Sequence, residues 1–142
     1  MLGATENGGH PWKQHETITL KPEDASHPVN AAFGGKAFEV SDEVFQLQQP
    51  YSREKLHVLL GIDTTKTDMN PPRRFLPERL ADKDFAISWV RAYGKGRVFY
   101  SSLGHNPHIF WNAPILQHFL AGIQFCLGDL QADATPSGPI RK

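Results

Sequence analysis

Apolar and polar positions alternate with period two through His15-Glu16-Thr17-Ile18-Thr19-Leu20, the pattern of a strand with one face buried. Lys21 to Ser26 breaks that pattern. His27-Pro28-Val29-Asn30-Ala31-Ala32-Phe33 then predicts one short helical turn, closed by Gly34-Gly35, where positive φ is open. Lys36–Val40 and Val44–Leu47 read as extended pieces on either side of Ser41-Asp42-Glu43. Leu56-His57-Val58-Leu59-Leu60-Gly61-Ile62 does not alternate and is apolar enough to be covered on both faces, which predicts an internal strand.

From Asp63 to Lys83 the chain is polar and broken by Pro71, Pro72 and Pro77, so the expectation is an irregular surface excursion that can serve as a lid. Phe85–Arg91 and Arg97–Leu103 flank Tyr93-Gly94-Lys95-Gly96 and predict an antiparallel hairpin. Asn112 can cap a helix with Pro114 in its first turn, and Ile115, Leu116, Phe119, Leu120, Ile123, Cys126, Leu127 and Leu130 recur at helical spacing. Gln131 to Lys142 holds little that can be buried and is expected to be a disordered tail, leaving one domain over residues 1–130.

The 142 residues, 39% hydrophobic and 21% charged, suit one domain with a modest core. Fifteen basic residues balance fifteen acidic ones and form no dense run, so nucleic acid is not an expected partner. No stretch approaches the ~18 apolar residues of a membrane span, and no export signal is visible, which leaves the compartment open. Cys126 lies among Ile123, Phe125 and Leu127 and is expected to behave as a small buried hydrophobe.

Polar groups that a plain core does not need gather in three places. Gly8-Gly9-His10-Pro11-Trp12 lets an imidazole and an indole approach a ligand, or forms a turn in which Trp12 packs. His27, before Pro28, reads as a structural loop residue or a pocket residue; Asp42 and Glu43 point to opposite faces of an extended chain, so at most one of them meets a given pocket. Ser101 to His108 leaves a strand edge where α/β sheets place ligands, and Gly104-His105 carries the strongest expectation of function.

His10, His27 and His105 with a carboxylate are a chemically permissible site for a divalent metal, but their spacing matches no metal motif. No nucleophile elbow, dinucleotide fingerprint or phosphate loop is present in the sequence.

The motifs Gly9-His10-Pro11-Trp12, Ser26-His27-Pro28-Val29, Asp42-Glu43-Val44-Phe45, Tyr51-Ser52-Arg53, Leu56–Asp63 and Trp89–Tyr100 running on to Leu103-Gly104-His105 occur in the order found in the ThuA-like (trehalose-utilisation) domains, which the chain resembles from Gly3 to Leu130. The resemblance implies a flavodoxin-like, doubly wound α/β sheet with flanking helices, similar to class I glutamine amidotransferases but usually without their triad. It places His10, His27, Glu43 and His105 among the recurrent polar positions, with Asp42, Tyr51, Arg53 and Trp111 beside them.

Family domains begin well upstream of the first motif matched here, so the N-terminal half of the sheet is expected to be missing. That half, or another copy, is then an expected partner alongside a small carbohydrate. The function implied is catabolism of trehalose-derived or keto-disaccharides, by glycoside or keto-glycoside cleavage or by isomerisation. His105 is the expected acid/base, and Glu43 would orient it or bind sugar hydroxyls. His10, His27, Tyr51 and Arg53 would bind sugar, with Trp12 or Trp111 stacking on it. The alternative is a non-catalytic sugar-binding or interaction module, or a fragment without activity of its own.

Overall fold

Leu56–Ile62 becomes the centre of the sheet, because a run without polar alternation is stable only with cover on both faces. In the computed structural model, which describes residues 1–6, 9–70 and 74–140, the elements are β1 (Thr5–Glu6), β2 (Thr17–Pro22), β3 (Phe38–Ser41), β4 (Leu47–Gln48), β5 (His57–Ile62), α1 (Pro77–Asp82), β6 (Ala86–Tyr93), β7 (Gly96–Ser101) and α2 (Ala113–Leu127), with 3₁₀ turns at Pro28–Phe33 and Pro107–Trp111. This is a mixed α/β fold. Its main sheet has the order β3-β2-β5-β6-β7, and β1 pairs with β4 in a small second sheet.

Every strand pair among the described residues is antiparallel. The doubly wound parallel order that the resemblance implies is therefore not formed by these strands: β6 and β7 are joined by the Gly94-Lys95 turn, too short for the crossover that parallel neighbours need. All six residues of β5 are buried. The β5–β6 ladder slips register on either side of Leu60.

The side chains alternate into separate clusters. Trp89 of β6 stacks on Tyr100 of β7 with ring centroids 4.0 Å apart and packs with Leu56 and Val58, whereas the next residue, Val90, joins Leu59, Val29 and Phe125 beneath α2. The largest cluster runs through Trp12, Ile18, Leu20, Leu60, Ile62, Phe85, Ile87, Ile109 and Ile115. Asn112 caps α2 by accepting from the Ile115 amide, as its sequence position predicts. The helix lies so close to β7 that a Cβ at Gly122 would stand 2.4 Å from the Phe99 ring.

Four expectations change. The excursion 63–83 contains α1, since Pro77 starts a helix turn where it had been read as a break, and Arg79 on that helix is buried; Pro71, Pro72 and Arg73 of the excursion lie outside the described residues. The extended piece Val44–Leu47 reduces to an isolated bridge between Val44 and Trp12, followed by β4. Cys126 is exposed, because it sits on the flank of α2 away from the sheet.

The segment after Gln131, expected to be disordered for want of apolar side chains, is held by polar bonds instead. The Ser137 and Gly138 amides donate to the Leu56 and Arg53 carbonyls at 3.0 and 3.1 Å, and Ser137 Oγ accepts from the Val58 amide. Arg141 and Lys142 lie outside the described residues.

Candidate functional site

The loop after β7 turns at Gly104, whose φ of 122° favours glycine, and delivers His105 at the sheet edge. Asp42, at the end of β3, fixes that loop. Its fully buried carboxylate accepts from the amides of Gly104 (2.7 Å) and Asn106 (2.8 Å), one on each side of His105. The Asn106 side chain adds a bond to the Ser41 carbonyl at 2.9 Å. Two charge-assisted bonds from backbone amides satisfy a carboxylate that burial alone would penalise.

Glu43 points the other way, as successive residues of an extended chain must. One of its oxygens accepts from His10 Nδ1 and the other lies 3.4 Å from His105 Nε2. The bond from His10 holds the Glu43 carboxyl below its ordinary pKa, against a smaller opposing effect of burial. His105 Nε2 is also 3.2 Å from the Gln14 side-chain oxygen, and the His10 ring meets Phe45 edge-on with centroids 4.7 Å apart.

These partners set the tautomers. Both groups facing His105 Nε2 are acceptors, as is the Glu43 oxygen facing His10 Nδ1, so in a neutral ring those two nitrogens are the donors and the opposite nitrogen of each is the acceptor. The result is two imidazoles bridged by one carboxylate, partly open to solvent, with side-chain exposures of 29, 17 and 45% for His10, Glu43 and His105. Such an arrangement can take a proton at one ring while the shared carboxylate steadies the cation formed.

The structure separates the remaining candidates. Trp12 is fully buried between Phe75 and Phe85, with its indole N–H given to the Asp68 carbonyl at 2.9 Å, so it has no face to offer a sugar. Its packing reading is the one realised. Gly8 of the same motif lies outside the described residues.

His27 is buried away from this cluster: Nδ1 accepts from the Val29 amide and Nε2 donates to the Asp133 carbonyl at 2.9 Å. Burial pushes its pKa down. It therefore does not join His10 and His105 as a third metal ligand, and among the described residues no group of three or more His, Cys, Asp or Glu side chains is placed to hold a metal. Trp111 is exposed in the turn before α2.

Tyr51 and Arg53 come together elsewhere, in a cavity of about 380 Å³ whose lining includes Arg79, Asp82 and Asp84 but none of His10, Glu43 or His105. Asp84 accepts from the Tyr51 hydroxyl at 2.7 Å and from Arg53 Nε at 2.9 Å. Burial works against the Arg53 charge, yet Asp84 and Glu23 raise its pKa. Burial, followed by the Asp84 charge, raises that of Tyr51. Arg79 lies over the Tyr51 ring and gives bonds to the Asp84 carbonyl and the Asp82 carboxylate, while its buried Nε has no partner among the described residues. Sequence reasoning missed Arg79, which follows a proline in a polar stretch and offers no periodic signal.

The ThuA family model, described as trehalose utilisation, matches residues 1–126. No curated protein and no solved structure matches the chain.

Proposed function

We propose, from the premise that this chain belongs to the ThuA (trehalose utilisation) family, that His10, Glu43 and His105 form an acid/base site acting on a small carbohydrate. The observation that carries this reading is the Glu43 carboxylate, one oxygen of which is bonded to His10 Nδ1 while the other lies 3.4 Å from His105 Nε2, so that two imidazoles face one carboxylate. All three side chains are partly open to solvent and so can be reached by a small molecule. Asp42 acts as a positioning residue, fixing the backbone on both sides of His105.

In this reading the His105 ring takes a proton from a carbon beside a keto group and returns it either to the neighbouring carbon, which completes an isomerisation, or to the glycosidic oxygen, whose C–O bond breaks as a C=C bond forms. Glu43 stabilises the imidazolium in between. Cleavage of a glycoside and isomerisation of a keto-sugar both fit such a step. The cavity lined by Tyr51, Arg53, Arg79, Asp82 and Asp84, with its fixed charges, has the chemistry to hold sugar hydroxyls as a second contact region. The reading includes a flavodoxin-like, class I glutamine amidotransferase-like sheet completed by strands from outside these residues; what supports that part is the family match alone.

The test is turnover of trehalose and of a keto-disaccharide, followed by NMR of the sugar, in the protein and in His105→Ala. The expected result is a loss of about 10²–10⁴-fold with the fold retained. Saturable binding without turnover in either protein would favour the alternative, a non-catalytic sugar-binding module. Absence of both would sink the carbohydrate reading.

A further inference from the structure

Helix α2 buries Ile115, His118, Gly122 and Phe125 against the sheet. Its opposite side carries Leu116, Leu120, Ile123 and Leu127, which are 41, 53, 54 and 72% exposed. Steps of four, three and four residues put them in one stripe along the outer face, with the spacing of the a and d positions of a packed helix pair. Trp111, 84% exposed, stands immediately before the helix.

An outward helix face ordinarily carries charge, and this one has none. The sequence contains no Asp, Glu, Lys or Arg between Arg97 and Asp129. Beside the stripe the exposed side chains include the uncharged Gln117 and Gln124. Loss of charge around exposed aliphatic and aromatic side chains is the compositional mark of an interface centre.

We propose that this face is the docking surface for a second copy of the same chain, in a two-fold dimer with α2 packed against α2. The stripe with Phe110 and Trp111 exposes six large apolar side chains to between 41 and 84%, on the order of several hundred Å² per copy, the size that marks an interaction site, and two such faces together approach the ~1,200 Å² lower end of a stable interface. A face without charge meets its own copy without repulsion, so it is self-complementary, as a two-fold contact requires. The midpoint of the stripe lies between Leu120 and Ile123. A two-fold axis there sets Leu120 against Ile123 of the partner subunit and Leu116 against Leu127 of the partner subunit. The proposal does not depend on the carbohydrate reading, since none of these residues belongs to the acid/base cluster.

Sedimentation velocity from about 1 to 100 µM tests it, a range that covers micromolar association. The expected result is a reversible monomer–dimer equilibrium that Leu120→Glu shifts to monomer without lowering the melting temperature of the monomer, because position 120 is exposed. Leu120→Glu mixed with Ile123→Lys should recover a heterodimer through one charge pair across the axis. A wild-type monomer throughout that range would overturn the proposal. So would a dimer indifferent to Leu120→Glu, or open-ended aggregation in place of a dimer, which would point to a different polypeptide covering the face.

Discussion

Asp42 and Glu43 are neighbours whose carboxylates act on the same histidine from different directions: Asp42 accepts from the amides on either side of His105, and Glu43 meets its ring. Backbone and imidazole of one loop residue are thereby fixed by a single dipeptide at the end of β3.

Asp42→Asn puts an amide N–H where the carboxylate accepted one of two backbone bonds, leaving a buried donor without an acceptor. The expected cost is about 2–3 kcal/mol in urea denaturation, together with a changed NMR signal for the His105 ring. An unaltered ring signal would show that the loop holds His105 without help from Asp42.

Glu43 carries a carboxyl pKa held below its ordinary value by the bond from His10. The native state therefore binds this proton less readily than the unfolded chain. The stabilisation is present above the ordinary carboxylate range and is lost as pH falls through the folded pKa. Melting temperatures measured on the acid side should fall less steeply for Glu43→Gln than for the wild type. Parallel curves would mean that the bridge to the two histidines contributes nothing to folding.

His118 sits fully buried on the inner face of α2, with Nδ1 given to the Val29 carbonyl at 2.9 Å and Nε2 3.0 Å from the Ser88 hydroxyl. Burial pushes its pKa down to about 4 from 6.5. Here the unfolded chain takes up the proton first, so stability declines between those two values, by roughly 3 kcal/mol in total, and is level above them. His27, also lowered by burial, adds to the same slope. His118→Gln should be less stable near neutrality and flatter below pH 6.5. A slope equal to that of the wild type would assign the acid sensitivity to other groups.

Deleting residues 132–142 removes the carbonyls of Asp133 and Thr135 that His27 Nε2 and His57 Nδ1 reach, as well as the Ser137 and Gly138 bonds to the chain around β5. The shortened chain should unfold at lower denaturant, with backbone amides near Leu56–Val58 exchanging faster. Unchanged exchange there would show that the segment adds nothing to the sheet.

The strands and α2 were legible because apolar burial sets them: β5 lacks alternation, the hairpin has its glycines, and α2 has its Asn112 cap and helical spacing. What polar bonds hold was not legible. Residues 132–138 offer almost no hydrophobic side chain, and Arg79 is buried by Asp82, Asp84 and the Tyr51 ring, partners that leave no periodic trace. In the site, Gly104 marked His105 as a residue presented at an edge. The convergence of His10 and His105 on Glu43 spans separations of 33 and 62 residues that spacing could not reveal. Asp42, read as a companion of the motif, proved to be the clamp. His118 sits on the apolar face of a helix whose pattern was read from its aliphatic neighbours.

The bonds from Asp133, Thr135 and Ser137 to His27, His57 and Val58 span 106, 78 and 79 residues. During synthesis the hairpin β6–β7 can pair soon after it leaves the ribosome, but the two buried histidines must wait for the segment beyond α2 before their ring nitrogens find these carbonyls. Until then a nascent chain carries a nearly finished sheet that lacks its last bonds around the start of β5, at Leu56 and Val58.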